Sequence, residues 1–144
     1  MSFDIDLDDG PHLAAAVLCE KALEEKDNVH SLIRLVDRIT VTTASAGAMP
    51  EIQTGLLLFL GFRSGSAKGN YEATVVFVDP DGKELTKINI PFFAEGEERG
   101  NNIRVNLNEL KIQKPGLFWF NVFLAGQLLT RVPLRVIHLR TGAS

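Results

Sequence analysis

The chain has 144 residues and a mass of 15.8 kDa, with 45% hydrophobic and 23% charged side chains. That is one domain's worth of ordinary globular composition, far from disordered or fibrous sequences. A lone cysteine, Cys19, excludes an internal disulfide framework and a thiolate zinc cluster, and points to a reducing cytoplasmic setting. The net charge of −3 is unevenly spread: residues 1–109 sum to −8 and residues 110–144, which hold no Asp or Glu, to +5.

Residues 1–10 form an acidic lead-in with no basic-then-apolar secretory pattern. Phe3, Ile5 and Leu7 alternate with Asp4, Asp6 and Asp8, which suits an added edge strand. The same aspartates superficially resemble a calcium loop. A calcium hand needs glycine at its sixth position and a bidentate glutamate at its twelfth, and counting from Asp4 these are Asp9 and Ala15.

His12 to Asp27 is ambiguous. Its alanines, leucines and flanking Glu and Lys favour helix by propensity. Yet Leu13–Cys19 is short, nearly all apolar and followed by a strong strand. The reading adopted is a buried strand ending in one helical turn at Glu20–Lys26. Val29–Thr43 reads as one long strand with Ile33, Leu35, Ile39 and Val41 on one face. Asp37 falls on that apolar face and implies a bulge or a crossing between sheets.

Ala44–Gln53, with Gly47 and Pro50, is a loop, and Leu56–Phe62 is apolar without alternation, as in a strand covered on both faces. Arg63–Asn70 reads as a hairpin loop and Tyr71–Val78 as the returning strand. Asp79-Pro80-Asp81-Gly82 has turn composition, with Lys83–Ile90 as the partner strand. Pro91–Gly100 reads as a charged loop, Asn102–Leu107 as an alternating strand, and Leu117 onward as a closing hairpin around Ala125-Gly126. The sum is an all-β chain, an antiparallel β-sandwich of seven to nine strands, immunoglobulin-like or C2-like, with at most one or two short helices. It occupies residues 11–140, between the lead-in and a tail of residues 141–144.

For catalysis the candidates are Cys19, Ser31, His12, His30, His138, Asp37 and Tyr71. None belongs to a recognisable nucleophile, zinc, phosphate or dinucleotide motif, so the expectation is a non-enzyme without cofactor or metal. A C2-type calcium site needs carboxylates clustered on end loops; Asp79 and Asp81 share a turn, but the other loops add only Glu51 and the Glu95–Glu98 run. Five cations in the last thirty-five residues, without Gly-aromatic motifs, do not make a nucleic-acid footprint, and no apolar run is long enough to span a bilayer.

The final hairpin carries the best binding signal. Phe118, Phe120, Val122 and Leu124 supply a core face. Leu117, Trp119, Phe123 and Ala125 point the other way, with Arg131 and Arg135 on the partner strand beside Pro133. Trp119, Phe123, Arg131 and Arg135 have hot-spot composition. Either a protein partner or second copy covers them, or the Leu13–Leu23 segment or the lead-in does.

Several stretches resemble a group of small bacterial proteins of unknown function: His12-Leu-Ala-Ala-Ala-Val-Leu-Cys-Glu20, Val29-His-Ser-Leu-Ile-Arg-Leu-Val-Asp-Arg-Ile-Thr40, Pro115-Gly-Leu-Phe-Trp-Phe-Asn-Val122 and Arg131-Val-Pro-Leu-Arg-Val136. This resemblance implies a bacterial cytoplasmic sandwich and supplies no catalytic residue. More distantly, Asp79–Gly82 and the aromatic strand after it are similar to immunoglobulin-like domains. A corner tyrosine is frequent in those domains, and Phe118 or Trp119 stands here instead.

Overall fold

A computed structural model describes residues 10–27, 29–44 and 47–141. Most of the acidic lead-in and the last three residues of the tail therefore lie outside the described residues, as does the edge strand expected of Phe3–Asp8. Within them the chain is all β, with eleven strands and no helix.

The order is β1 (His12–Glu24), β2 (His30–Leu35), β3 (Arg38–Thr43), β4 (Ile52–Gln53), β5 (Leu57–Arg63), β6 (Lys68–Val78), β7 (Glu84–Glu95), β8 (Gly100–Asn106), β9 (Lys111–Ile112), β10 (Gly116–Leu124) and β11 (Gln127–Arg140). A four-stranded sheet runs β2-β1-β5-β8 and a five-stranded sheet β3-β11-β10-β6-β7, with β4-β9 as a minor pair. The strand count exceeds the expected seven to nine. The antiparallel expectation fails at one place, where β3 lies parallel to β11.

The core forms where the two large sheets face each other. Leu58, Leu60 and Phe62 come from one, and Val75, Phe77, Phe118, Phe120, Val122 and Leu134 from the other; all are at most 2% exposed. Phe77 stacks between Phe120, with centroids 4.6 Å apart, and Phe118 at 5.4 Å. Strict alternation along β10 puts Phe118, Phe120, Val122 and Leu124 inward, as its sequence pattern requires.

β1 stays extended to Glu24, so the helical turn expected at Glu20–Lys26 is absent. Pairing with β5 over His12–Cys19 and with β2 over Cys19–Glu24 outweighs the propensity of its alanines and leucines. Past Cys19 the strand leaves β5 and curls with β2 back over the outer side of its own sheet. Glu24 thereby reaches Arg104 of β8 at 3.8 Å, and His30 tilts against the Phe59 ring at 5.7 Å between centroids. This flap explains why Cys19 and Phe59 are buried although both point away from the inter-sheet core.

The expected single strand Val29–Thr43 is two strands in different sheets, and the chain crosses between them at Val36-Asp37. The backbone N–H of Val36 bonds Leu18 in one sheet, while the carbonyl of Asp37 accepts from Arg135 N–H in the other. The crossing breaks the expected common face. Ile39 and Val41 pack on the core, whereas Ile33 and Leu35 are 42% and 65% exposed.

β7 continues through Pro91 to Glu95, replacing the loop expected from Pro91. It is an edge strand, where a missing N–H costs no ladder bond.

Candidate site on the outer face of the final hairpin

The register of β10 and β11 sets Trp119 opposite Pro133, Asn121 opposite Arg131, Leu117 opposite Arg135 and Phe123 opposite Leu128. Because directly opposed residues share a face, Trp119, Phe123, Arg131 and Arg135 all stand on the outer side of the five-stranded sheet. Two of them touch. The Arg131 guanidinium carbon lies 4.2 Å from the Trp119 ring centroid, and its Nε donates to Asn121 Oδ1 at 2.9 Å. A planar cation held over an indole by a side-chain amide keeps both its stacking face and its remaining donors oriented. Phe123 flanks that pair toward the Ala125-Gly126 turn, and Arg135 flanks it toward β3, where Arg38 is opposite.

Among the described residues neither Arg131 nor Arg135 forms an ion pair. Arg34, Arg38, Arg99 and Arg104 each have a carboxylate within 4 Å. Trp119 and Phe123 are half-buried, with Val78 and Thr74 of β6 opposite them. The segment Leu13–Leu23 does not cover them, because it belongs to β1 of the other sheet. Asn121 was absent from the residues expected here. Its signal was present as the one polar position in Phe118–Leu124, spaced to share a face with Trp119 and Phe123.

A second concavity lies at one end of the sandwich, a cleft of about 580 Å³ bordered by Phe77, Asp79, Lys83, Leu110, Lys114 and Phe118. Asp79, only 6% exposed, anchors the turn: its Oδ1 accepts from the N–H groups of Asp81 at 2.9 Å and Lys83 at 2.8 Å. Lys114 Nζ pairs with Asp79 Oδ2 at 3.2 Å and with Asp81 Oδ2. The Lys83 N–H bond first, and the Lys114 ammonium with it, hold the Asp79 carboxyl below its usual range; the two aspartates hold the Lys114 ammonium above its own. These charges satisfy one another and fix the Asp79–Gly82 turn.

The other candidates are dispersed. His12 meets Glu98 at 3.5 Å, His30 lies 3.2 Å from Asn102 and His138 2.7 Å from Thr43 Oγ1. Ser31 donates to Glu25 at 3.2 Å, and Asp37 is exposed beside Arg38. Tyr71 stacks on Phe92 at 6.0 Å. Cys19 is fully buried, and desolvation pushes its thiol above the ordinary range. Among the described residues no group of three His, Cys, Asp or Glu side chains gathers as metal ligands, and no helix is long and apolar enough to cross a membrane.

A family model described as a family of unknown function, DUF6941, matches residues 14–137. No functionally curated protein matches the chain in sequence. Among solved structures, an immunoglobulin-like protein from Pseudomonas aeruginosa aligns at 14% identity and TM-score 0.45, covering 88% of this chain and 95% of that one. A β-glucosidase from Listeria innocua in complex with glucose aligns at 13% identity and TM-score 0.46. The alignment covers 88% of this chain but only 16% of that one.

Proposed function

We propose that this chain, which belongs to the DUF6941 family of unknown function, is a non-catalytic bacterial cytoplasmic module that docks another protein on the outer face of its final hairpin. The observation that carries this reading is the Trp119–Arg131 stack on a sheet face over which no other described element lies. Trp and Arg dominate interface energetics because each offers a large rigid contact area together with directional donors. The dispersed histidines and the buried thiol support a role without chemistry of its own, since catalysis needs a nucleophile, a base and an orienting group within reach. A reducing compartment suits the lone buried Cys19.

The test pairs affinity capture from the native host with sedimentation, using wild type and Trp119→Ala. A specific partner should lose more than about 2 kcal/mol of binding on that truncation, as a hot-spot residue does. Partners retained equally by both forms would sink the reading. A variant that melts far earlier at unchanged mass would instead make Trp119 a packing residue. The second reading, a small-ligand module, is favoured by the end cleft beside Asp79 and Lys114. It predicts that Lys114→Ala, rather than Trp119→Ala, removes binding.

A further inference from the structure

We propose that the cleft between the β1–β2 flap and the outer face of the four-stranded sheet binds a small planar organic carboxylate. It lies on the other sheet from the final hairpin and stands apart from the docking reading. Three observations lead to it.

The first is room. The cleft measures about 460 Å³, a volume typical of small-molecule sites. Its floor is the row Ala15, Gly61 and Asn102, paired across β1, β5 and β8. Gly61 is buried inside β5 and its backbone is not left-handed. A Cβ there would meet Phe59 Cε1 at 3.4 Å, Ala15 Cβ at 3.6 Å and Asn102 Oδ1 at 3.8 Å, all ordinary contacts. Neither backbone nor crowding demands glycine, although glycine weakens a strand interior. Such a glycine marks the close approach of a ligand, and beside Ala15 it leaves a flat floor for a planar body.

The second is the set of donors. Arg63 Nη1 donates to the Phe62 carbonyl at 3.2 Å. Gly100 makes room for that pose, since a Cβ there would meet Arg63 Nη1 at 2.8 Å. The guanidinium is thus laid along the cleft with most of its donors unspent. Asn102 Nδ2 donates to His30 Nδ1 at 3.2 Å, so the neutral imidazole carries its proton on Nε2 as a further donor.

The third is charge. Among the described residues Arg63 has no ion-pair partner, and no Asp or Glu lines the cleft. Arg104, the next cation along this face, is by contrast met by Glu24 at 3.8 Å. A carboxylate answers an unpaired guanidinium with two parallel bonds, and the flat floor suits it better than a tetrahedral anion.

The experiment titrates the full chain with benzoate and follows its amide NMR spectrum. Benzamide supplies the same shape without the charge, and inorganic phosphate the charge without the planar body. Benzoate should give saturable shifts on β5, β8 and the flap. Benzamide and phosphate should bind at least about tenfold more weakly, as the loss of a charge-assisted hydrogen bond implies. Arg63→Gln should weaken benzoate by about tenfold or more while the melting curve stays that of the folded sandwich. Gly61→Val, which fills the floor, should abolish binding; if it does not fold, Arg63→Gln decides alone. No saturable shift at millimolar benzoate would overturn the proposal. So would equal affinity of wild type and Arg63→Gln, phosphate binding as tightly as benzoate, or shifts confined to the hairpin face. The docking face fails separately, if Trp119→Ala captures the same partners as wild type.

Discussion

Phe120→Ala should be among the most damaging single truncations in the chain, and its size follows from the packing. The side chain is fully buried, opposes Val132 on one neighbour and Phe77 on the other, and stacks on the Phe77 ring at 4.6 Å. Removing it leaves a cavity in the middle of the sandwich, where flanking strands paired on both sides cannot collapse, so the cost is about 3–5 kcal/mol. Phe123, three residues on, is half-buried on the outer face; with full burial worth roughly 1.5–3 kcal/mol, Phe123→Ala should cost about 1 kcal/mol. Urea unfolding of both variants measures the difference, and an unchanged slope shows that the unfolded reference is the same. In thermal melts, at about 2–4 °C per kcal/mol for this chain length, Phe120→Ala should fall by roughly 6–20 °C. The pair also tests register, because a one-residue slip exchanges the two faces of a strand. Equal losses, or a larger loss from Phe123→Ala, would refute the inward assignment of Phe118, Phe120, Val122 and Leu124.

Three further outcomes are expected. Asp79→Asn should destabilise the protein at neutral pH and converge with wild type in acid. The folded carboxyl titrates below its ordinary 3.8, so its contribution is complete above that pH and is lost as pH falls through the lower folded value; a gap that persists unchanged into acid would contradict the turn-anchor role. Gly116→Ala should destabilise more than Gly126→Ala in thermal melts. Both have positive φ, at +132° and +80°, but only at Gly116 would the new Cβ meet Pro80 Cγ at 2.5 Å; equal effects would place the cost in backbone conformation alone. Cys19 should react with a disulfide reagent only as fast as the fold opens, being buried with its thiolate disfavoured; fast labelling of native protein would show that the flap over it is open.

The parts of the fold legible in the sequence are those with a strict period. Ile103, Val105 and Leu107 alternate inward, as do the four core residues of β10, because burial on one face writes itself into every second position. Leu56–Phe62 was legible as a doubly covered strand, within a residue of the observed Leu57–Arg63, although what covers its outer side, the curled β1–β2 flap, was not. Local composition misled where pairing decides. Residues 20–24 have helix-forming side chains but a strand on their flank, and Pro91 ends a strand in most contexts yet is tolerated on a sheet edge. Of the candidate site, the face assignment of Trp119 and Arg131 followed from alternation. Their contact did not, because it depends on the cross-strand offset that sets Asn121 opposite Arg131.

The parallel pairing of β3 with β11 has a consequence for the order of assembly during synthesis. Arg38–Thr43 emerges from a ribosome well before Arg135–Arg140, its only neighbour in the sheet. No hairpin can form between them, and the loop to be closed, residues 44–134, takes in about two-thirds of the chain, which slows folding. Until the C-terminal strand is released, the apolar side chains of Ile39 and Val41 and the edge of β3 have no partner. The crossing at Val36-Asp37 therefore makes completion of the five-stranded sheet wait for Arg135–Arg140, and leaves chains truncated before Arg135 with an unpaired strand edge that invites aggregation.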